Sequence, residues 1–309
     1  MKKVIVYTPA SVANVVCGFD ILGFALDGPF DKMVIYKTNK KGVTIINLDE
    51  YNLPVEPEQN VIGAALLAML KEINEEVGFI VESTKSIKPG SGIGSSAASA
   101  AGAVVGANHL LHNLFTKKEL VNFAMFGEEI ASGARHADNI APCIYGGVTL
   151  IRSLENLDII SIPVPELHVT VLHPQIEVKT SEARKVLGKE VLLKDATKQW
   201  ANIAGLMAGF LQRDYNLISR SMEDVIAEPL RSHFIPGFHE VKKKCLEAGA
   251  LGGGISGSGP SVFMLSKNKV TAMDVEGAMR EVYGKMNINF NTYVTSINKE
   301  GVRLSECKN

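Results

Sequence analysis

Residues 88–99 read Lys-Pro-Gly-Ser-Gly-Ile-Gly-Ser-Ser-Ala-Ala-Ser, in which three spaced glycines are followed by two serines and an alanine-rich run. Glycine lets the backbone turn tightly and leaves no Cβ between the amide groups and a ligand. The run at residues 95–112 has almost no helix breakers and predicts a helix, with Ser95 and Ser96 at the positions that N-cap chemistry favours. Because unpaired N–H groups and the helix dipole both favour negative charge, the junction predicts an anion site, with phosphate as the first ligand to consider.

Two better-known glycine motifs do not fit this stretch. A Walker A loop has Lys before its final Ser or Thr, whereas Gly94 is followed directly by Ser95. A Rossmann fingerprint needs Gly or Ala at position 95 and an acidic residue about 20 positions later, but residues 110–118 contain no acid. Taken alone, the stretch is also consistent with a purely structural glycine turn, so its assignment depends on the rest of the chain.

Composition limits the classes of protein that need to be considered. The chain has 309 residues, a formal net charge of −1 and 46% hydrophobic residues, which is typical of a globular protein of one or two domains. The charge gives no reason to expect a nucleic acid or an anionic membrane as partner, and no apolar run reaches the roughly 20 residues of a membrane helix. Cys17, Cys143, Cys245 and Cys307 lack metal-site spacing and are expected to be free thiols in a cytoplasmic protein.

Apolar periodicity predicts an α+β chain. Strands are predicted at residues 3–7, 79–84, 146–152, 169–172, 261–265 and 291–296, and a hairpin is predicted from residues 33–38 and 43–48. Helices are predicted after Asn60 and at residues 117–131, 181–187, 196–211, 237–247 and 270–283, with a capping box at Thr116 and Glu119 and with Trp200 in the core. Pro163 and Pro165 predict a boundary between domains at residues 1–162 and 163–309.

Three further segments carry candidate polar residues. Residues 8–20 are dense in small and polar side chains and predict a ligand-facing loop, although Asn and Asp are also ordinary turn residues. Glu128 lies near the end of a predicted helix, where the dipole disfavours a carboxylate, so it is either a metal ligand or a solvated side chain. His136, Asp138 and Asn139 fall within four positions and predict a ligand cluster.

The segments 8–20, 88–99 and 252–261 together resemble the three sequence motifs of the GHMP kinases. The central motif of that family contains Gly-Leu-Gly-Ser-Ser-Ala, and Ile93 replaces its Leu here. Residues 9–20 resemble the first motif of the members that act on homoserine, except that Val16 and Cys17 stand where those members have Gly-Pro. The segment His-Ala-Asp-Asn at 136–139 and the segment Gly-Ile-Ser-Gly-Ser-Gly-Pro at 254–260 match the same branch.

This resemblance implies an α+β protein with the two-domain GHMP kinase fold, in which an N-terminal domain like that of a ribosomal protein precedes a ferredoxin-like C-terminal domain. It implies that ATP, with Mg²⁺, phosphorylates the hydroxyl of L-homoserine to give O-phospho-L-homoserine and ADP, a step toward threonine, in a cytoplasmic homodimer. Another small-molecule kinase of the family, such as a mevalonate kinase, and a non-catalytic nucleotide-binding relative are the alternatives. Two arginines and the segment 136–139 favour a zwitterionic amino acid, and the three retained motifs favour catalysis.

The resemblance also implies a role for individual residues. The ATP site would comprise Asn60, Pro89, Gly90, Ser91, Gly92, Ile93, Gly94, Ser95 and Ser96. The homoserine site would comprise Asn14, Asp20, His136, Asp138, Asn139, Thr180, Arg184, Arg231 and Gly257. Ser96 and Glu128 would bind Mg²⁺ and would be catalytic together with Asn139. The two arginines suit a carboxylate and the two aspartates an ammonium group. Two routes for the hydroxyl proton stay open: a carboxylate base, as other GHMP kinases are thought to use, or direct transfer to the phosphate, which the resemblance to the members that act on homoserine favours.

Overall fold

We describe a computed structural model of the chain, which covers residues 2–178 and 180–306. Its strands are β1 (Lys3–Val15), β2 (Gly18–Thr38), β3 (Gly42–Asn47), β4 (Gly78–Thr84), β5 (Val148–Ser153), β6 (Asp158–Ile162), β7 (His168–Pro174), β8 (Gly252–Ile255), β9 (Val262–Ser266), β10 (Phe290–Ser296) and β11 (Arg303–Glu306). Its helices are α1 (Val61–Lys71), α2 (Ser95–Leu110), α3 (Lys117–Ser132), α4 (Ile140–Tyr145), α5 (Thr180–Lys185), α6 (Leu193–Gln212), α7 (Tyr215–Ser221), α8 (Glu228–Arg231), α9 (Phe238–Glu247) and α10 (Lys269–Tyr283), with 3₁₀ turns at Pro57–Gln59 and Ser232–Phe234.

The first sheet is built on a long antiparallel hairpin of β1 and β2. Its strands follow the order β11-β1-β2-β4-β3, with β5 on β2 and β6 on β5. The prediction of a loop at residues 8–20 is wrong, because residues 8–15 continue β1 and residues 18–20 begin β2. Thr8, Ala10 and Ser11 are fully buried. Their small side chains fit a strand that is covered on both faces, and this composition resembles that of a loop.

The hairpin predicted from residues 33–38 and 43–48 is also wrong. β4 lies between the two strands, antiparallel to β2 and parallel to β3. The connection from β3 to β4 passes through α1, as a parallel pair requires. Period-two alternation identified both strands but carries no information about which neighbour each strand pairs with.

Helices α1 to α4 pack on one face of this sheet and enclose its main core. The alanine-rich composition of α2 reflects close packing on β1, since a Cβ on Gly102 would collide with Thr8. Asn60 and the Thr116–Glu119 capping box begin α1 and α3 as predicted. The N-cap of α2 is Gly94, in a left-handed conformation, so the prediction that Ser95 and Ser96 act as N-caps is wrong.

The second sheet is antiparallel, with the order β10-β7-β9-β8. Helices α9 and α10 pack on it around a separate core, which gives the chain the two-domain α+β organisation that the sequence predicted. β8 occupies part of the glycine cluster before Pro260, and β11 returns to β1 in the first sheet. The boundary after residue 162 stays a prediction.

Helix α6, which forms where the sequence predicts a helix, packs through Leu206 and Phe210. Its Trp200 is 60% exposed, so the prediction of a core tryptophan is wrong. In the part of the chain that the structure describes, no helix is both long enough and apolar enough to cross a membrane. Cys17, Cys143 and Cys245 are buried free thiols, as expected, and Cys307 lies outside the described residues.

Candidate active site

The three motifs meet around one cleft with a volume of about 370 Å³, which is the size of a small-molecule site. The predicted residues that line it are Asn14, Asp20, Asn60, Pro89, Gly90, Ser91, Gly92, Gly94, Ser95, Ser96, Glu128, His136, Asp138, Asn139, Thr180, Arg184, Arg231 and Gly257. Ile93 differs from the rest of the predicted set, because its side chain is 1% exposed and packs in the core. Its backbone carbonyl accepts a hydrogen bond from the Ser11 amide.

Hydrogen bonds between the motifs hold the cleft together. Asn14 Nδ2 donates to the carbonyl of Gly257 over 2.9 Å, which joins the β1–β2 hairpin to the loop after β8. Ser256 Oγ donates to the carbonyl of Gly92 over 2.7 Å and joins that loop to residues 88–99. A Cβ on Gly92 would lie 2.5 Å from the carbonyl oxygen of Gly259, so the close approach requires glycine. Segments from both domains therefore fix the glycine loop.

Backbone groups dominate one end of the cleft. Gly90 has a φ of +74°, and a Cβ built on it would face open space. The first turn of α2 begins at Ser95 and directs its unpaired N–H groups toward the same end. Ser95 Oγ donates to the carbonyl of Ile87, so this hydroxyl anchors the loop. The arrangement is suited to an anion such as phosphate.

Ser96 and Glu128 lie beside this anion site. Ser96 Oγ donates to Glu128 Oε2 over 2.8 Å. Glu128 is half-buried on α3, whereas Glu129 is exposed, so the alternative of a solvated side chain does not describe Glu128. Burial raises the pKa of Glu128 to about 7, against the lowering effect of hydrogen bonds from Ser96 and Ser132. The pair offers two hard oxygen atoms next to an anion site, which suits Mg²⁺.

A complete protein cage for a metal is not found here. Within residues 2–178 and 180–306, no group of three or more His, Cys, Asp or Glu side chains could hold a metal ion. A cation at the Ser96–Glu128 pair would therefore need phosphate oxygens or water as its other ligands. This is the usual condition of Mg²⁺ at phosphoryl-transfer sites.

The other end of the cleft is built from charged side chains. Arg184 on α5 donates two hydrogen bonds to Asp20, with Nη1 3.1 Å from Oδ2 and Nη2 2.9 Å from Oδ1. Arg231 at the end of α8 is 4% exposed, and its Nε donates to the carbonyl of Ala183 over 2.8 Å. Its guanidinium lies 4.9 Å from the centre of the Phe19 ring. The guanidinium groups of Arg184 and Arg231 therefore face the cleft together with the carboxylate of Asp20. Such a set can bind both the negative and the positive group of a zwitterion.

Buried polar groups from the segment 136–139 complete this end. Burial, followed by the charges of Asp20 and Glu128, raises the pKa of Asp138 to about 7. Burial and the charge of Arg184 lower the pKa of His136, and within the described residues its buried Nε2 has no hydrogen-bond partner. Asn139 Oδ1 accepts a hydrogen bond from Ser11 Oγ over 2.8 Å. These groups are held in place with polar atoms still available to a ligand.

Sequence reasoning missed Lys85, which lines the cleft but whose ammonium group is buried. Its Nζ donates to Asp31 Oδ2 over 2.7 Å, to Ser99 Oγ over 2.6 Å and to the carbonyl of Ser95 over 3.1 Å. All three ammonium protons are therefore used inside the protein. Lys85 clamps the base of the glycine loop to β2 and α2. Asp31 lies 54 positions away in the sequence, so no local pattern indicated this pair.

The chain is similar to known proteins over almost its whole length. The chain matches the family models described as GHMP kinases N terminal domain, at residues 60–147, and GHMP kinases C terminal, at residues 206–285. It is 44% identical to the homoserine kinase of Chloroherpeton thalassium, covering 98% of this chain and 100% of that protein.

Solved structures give the same result. The crystal structure of homoserine kinase from Cytophaga hutchinsonii is similar with a TM-score of 0.94 and 46% identity, covering 99% of this chain and 98% of that one. The mevalonate kinase of L. major, solved with R-mevalonate, has a TM-score of 0.71 at 14% identity, covering 96% of each chain, and shares the fold.

Proposed function

The chain belongs to the GHMP kinase family, and we propose that within this family it is a homoserine kinase. It would transfer the γ-phosphate of ATP to the side-chain hydroxyl of L-homoserine, giving O-phospho-L-homoserine and ADP on the way to threonine. Similarity over almost the whole chain to homoserine kinases supports this reading. The single observation that carries it is the juxtaposition, in one cleft, of a backbone anion site and a pocket with two arginines, the carboxylate of Asp20 and the buried carboxylate of Asp138.

ATP is assigned to the glycine end of the cleft. The amides of residues 90–96 would bind its phosphates, and the N-terminal end of α2 would stabilise their charge. Asn60, which caps α1 and lines the cleft, is assigned to the neighbourhood of the adenine. Lys85 would hold the loop in the shape that these contacts need, since its donors are already engaged.

Mg²⁺ fits the Ser96–Glu128 pair, because the donors are hard oxygens and the remaining ligands can come from phosphate and water. When bound, the ion would stabilise the negative charge that develops on the transferred phosphoryl group. Glu128 would enter this role as a carboxylate, and Ser96 would orient it through their hydrogen bond.

Homoserine is assigned to the charged end. Arg184 and Arg231 would bind the carboxylate, and Asp20 and Asp138 would bind the ammonium group. The remaining assigned contacts are Asn14, His136, Asn139, Thr180 and Gly257, all of which line the cleft. Asn139, fixed by Ser11, would orient the hydroxyl beside the phosphate. The hydroxyl proton would pass to the phosphate itself, so positioning would supply most of the catalysis.

A homodimer in the cytoplasm is part of the same proposal. It is supported by the resemblance of the sequence motifs to the family, whose members of this type are often homodimers. The mass of the purified protein in solution, measured by light scattering, tests the dimer. A mass of about one chain at micromolar concentration would contradict it.

A coupled ADP-release assay tests the activity directly. Homoserine, serine, threonine, mevalonate, galactose and shikimate would be supplied in turn with ATP and Mg²⁺. Homoserine is expected to give the highest kcat/KM, because the charged end suits a zwitterion and the chain is similar to homoserine kinases over almost its whole length. Higher efficiency with mevalonate would favour the other kinase, and ATP binding without turnover of any acceptor would favour a nucleotide-binding module.

A further inference from the structure

Gln199 on α6 lies outside the cleft. It uses every polar atom of its side chain to bridge two segments of the chain, one around Cys17 and one around Asp224. It is 7% exposed. Its Nε2 donates to the carbonyl of Cys17 over 3.2 Å and to Asp224 Oδ1 over 3.0 Å, while its Oε1 accepts from the amide of Val225 over 3.1 Å. A primary amide has two N–H donors, so both are used.

The two segments that Gln199 joins carry the two halves of one contact at the side of the cleft, where Arg231 lines the cleft and Phe19 packs against Arg231. Cys17 ends the turn between β1 and β2, and Phe19 follows it two positions later on β2. On the other side, the segment around Asp224 leads into α8, which ends at Arg231. Arg231 lies over the Phe19 ring at 4.9 Å from its centre. One side chain therefore ties together the backbone on both sides of the arginine–aromatic contact.

Asp224 transmits this connection to α8 through the backbone. Its Oδ1 accepts from the amides of Ile226 and Ala227 over 2.9 and 3.0 Å, and its Oδ2 accepts from the amide of Glu228 over 2.9 Å. These bonds fix the chain that begins α8, and carboxylates that accept several N–H groups hold such turns firmly. α8 is only four residues long, so its orientation depends on its entry segment.

Gln199 lines neither the cleft nor the small cavity of about 10 Å³ beside it, which is lined by Phe19, Asp224 and Arg231, and its own side chain is buried. Any effect of Gln199 on the reaction must therefore act through the residues that it holds.

We propose that Gln199 is a positioning residue that sets the placement of Arg231 against Phe19 and so determines how well the site binds the substrate carboxylate. This inference rests on the proposed function, because it takes homoserine to be the substrate whose carboxylate Arg231 binds. Gln199 links three elements from distant parts of the chain, namely the β1–β2 turn, α6 and the entry to α8.

The decisive variant is Gln199→Glu, with Gln212→Glu as the matched control. Glutamate has the same shape as glutamine, but it removes both N–H donors and places carboxylate oxygen against the Cys17 carbonyl and the Asp224 carboxylate. Gln212 lies exposed on the same helix. Since hydrogen bonds to charged groups are worth about 1.5 to 3 kcal/mol, the homoserine KM is expected to rise by about tenfold or more in Gln199→Glu. The KM for ATP and both constants of Gln212→Glu are expected to stay within about twofold.

A double variant separates positioning from general damage. Combining Gln199→Glu with Arg231→Lys is expected to raise the homoserine KM by clearly less than the product of the single effects, because both changes act on one contact. Multiplicative effects, or equal losses for homoserine and ATP, would overturn the proposal. Gln199→Met, which keeps the length without adding charge, serves as the second variant if Gln199→Glu does not fold.

Amide hydrogen exchange tests the inference independently of the substrate. Peptides covering residues 15–24 and 222–234 are expected to exchange faster in the Gln199 variants than in wild type and Gln212→Glu, while peptides of the glycine loop stay unchanged. Unchanged exchange in both regions would overturn the proposal. If wild type does not phosphorylate homoserine, the proposed function fails, and the exchange result still decides whether Gln199 holds Arg231.

Discussion

The two ends of the cleft are built on different principles. The glycine end uses backbone groups of one continuous segment, residues 88–99, and the start of α2. The charged end uses side chains that come from several separate segments, among them Asp20 on β2, Arg184 on α5 and Arg231 on α8. A backbone-built site is encoded locally, because the loop and the helix that follows it form the ligand groups together. A side-chain-built site exists only after the domains have packed.

This difference predicts different responses to mutation. At the charged end, a substitution should change affinity for the acceptor and leave the nucleotide site alone. At the glycine end, substitutions should reduce turnover or ATP binding.

Arg231→Lys keeps the charge but loses the planar fork that matches a carboxylate. The homoserine KM is expected to rise by roughly ten- to a hundredfold, since hydrogen bonds to charged groups contribute about 1.5 to 3 kcal/mol. The KM for ATP should barely change. Steady-state kinetics with each substrate varied in turn measure both values, and Arg220→Lys, at an exposed arginine, is the matched control. A rise in the ATP KM with an unchanged homoserine KM would reassign Arg231 to the phosphates.

Ser96→Ala and Glu128→Gln test the opposite end. Each is expected to reduce kcat by at least about tenfold, because both oxygens would bind the ion that stabilises charge in the transition state. Glu129→Gln changes the neighbouring exposed residue and should retain wild-type turnover. Wild-type turnover of both Ser96→Ala and Glu128→Gln at saturating Mg²⁺ would remove the metal assignment.

Asp138→Asn tests whether the buried carboxylate destabilises the protein in the absence of substrate. Burial raises the pKa of Asp138 from 3.8 to about 7, so the native state binds this proton more tightly than the unfolded state. Stability should therefore fall as pH rises from about 4 to about 7, and the penalty should persist above that range. The variant lacks this titrating group. The difference in free energy of unfolding between the variant and wild type should therefore change in favour of the variant, by at most about 4 kcal/mol, as the pH rises from about 4 to about 7.

Urea unfolding of wild type and Asp138→Asn at a series of pH values measures this difference. A parallel pH dependence of the two proteins would show that Asp138 is ionised normally. The variant should also bind homoserine more weakly, because it lacks the charge assigned to the ammonium group. Greater stability with weaker substrate binding is the expected combination at a functional site.

Cys17→Ser should have the smallest effect. The thiol is buried, burial raises its pKa to about 12, and its Sγ donates to the carbonyl of Ser221 over 3.4 Å. A serine hydroxyl can make the same hydrogen bond, and phosphoryl transfer does not require a thiol. Both KM values are expected to stay within about twofold of wild type. Complete loss of activity would mean that the Val16–Cys17 departure from the family pattern has a function of its own.

The same contrast explains what could be predicted from the sequence. Helix α2 begins at Ser95 as expected, because the glycine loop and the alanine-rich run are local signals. Residues 8–15 have the composition of a loop but form a buried strand, because their small side chains reflect contacts with two layers and not the local conformation. The predicted pairing of residues 33–38 with residues 43–48 is wrong for a related reason, because β4, which comes later in the chain, lies between these two strands.

The candidate site shows this division at the level of single residues. The predicted set lines the cleft apart from Ile93, which the motif includes for its backbone carbonyl and its packing. Lys85, Phe19 and Gln199 were missed, because each acts through partners that are far away in the sequence. Motif resemblance identifies residues by position, whereas these three are recognised only from distances in the folded chain.

The central claim is that the guanidinium groups of Arg184 and Arg231 bind the carboxylate of the acceptor and so select it. The most direct measurement is the ratio of kcat/KM for homoserine to that for its methyl ester, in wild type and in the Lys variants of Arg184 and Arg231. The ester lacks the carboxylate charge, so wild type should prefer homoserine and the ratio should fall by about tenfold or more in each variant. An unchanged ratio, with the loss appearing in the KM for ATP instead, would contradict the account.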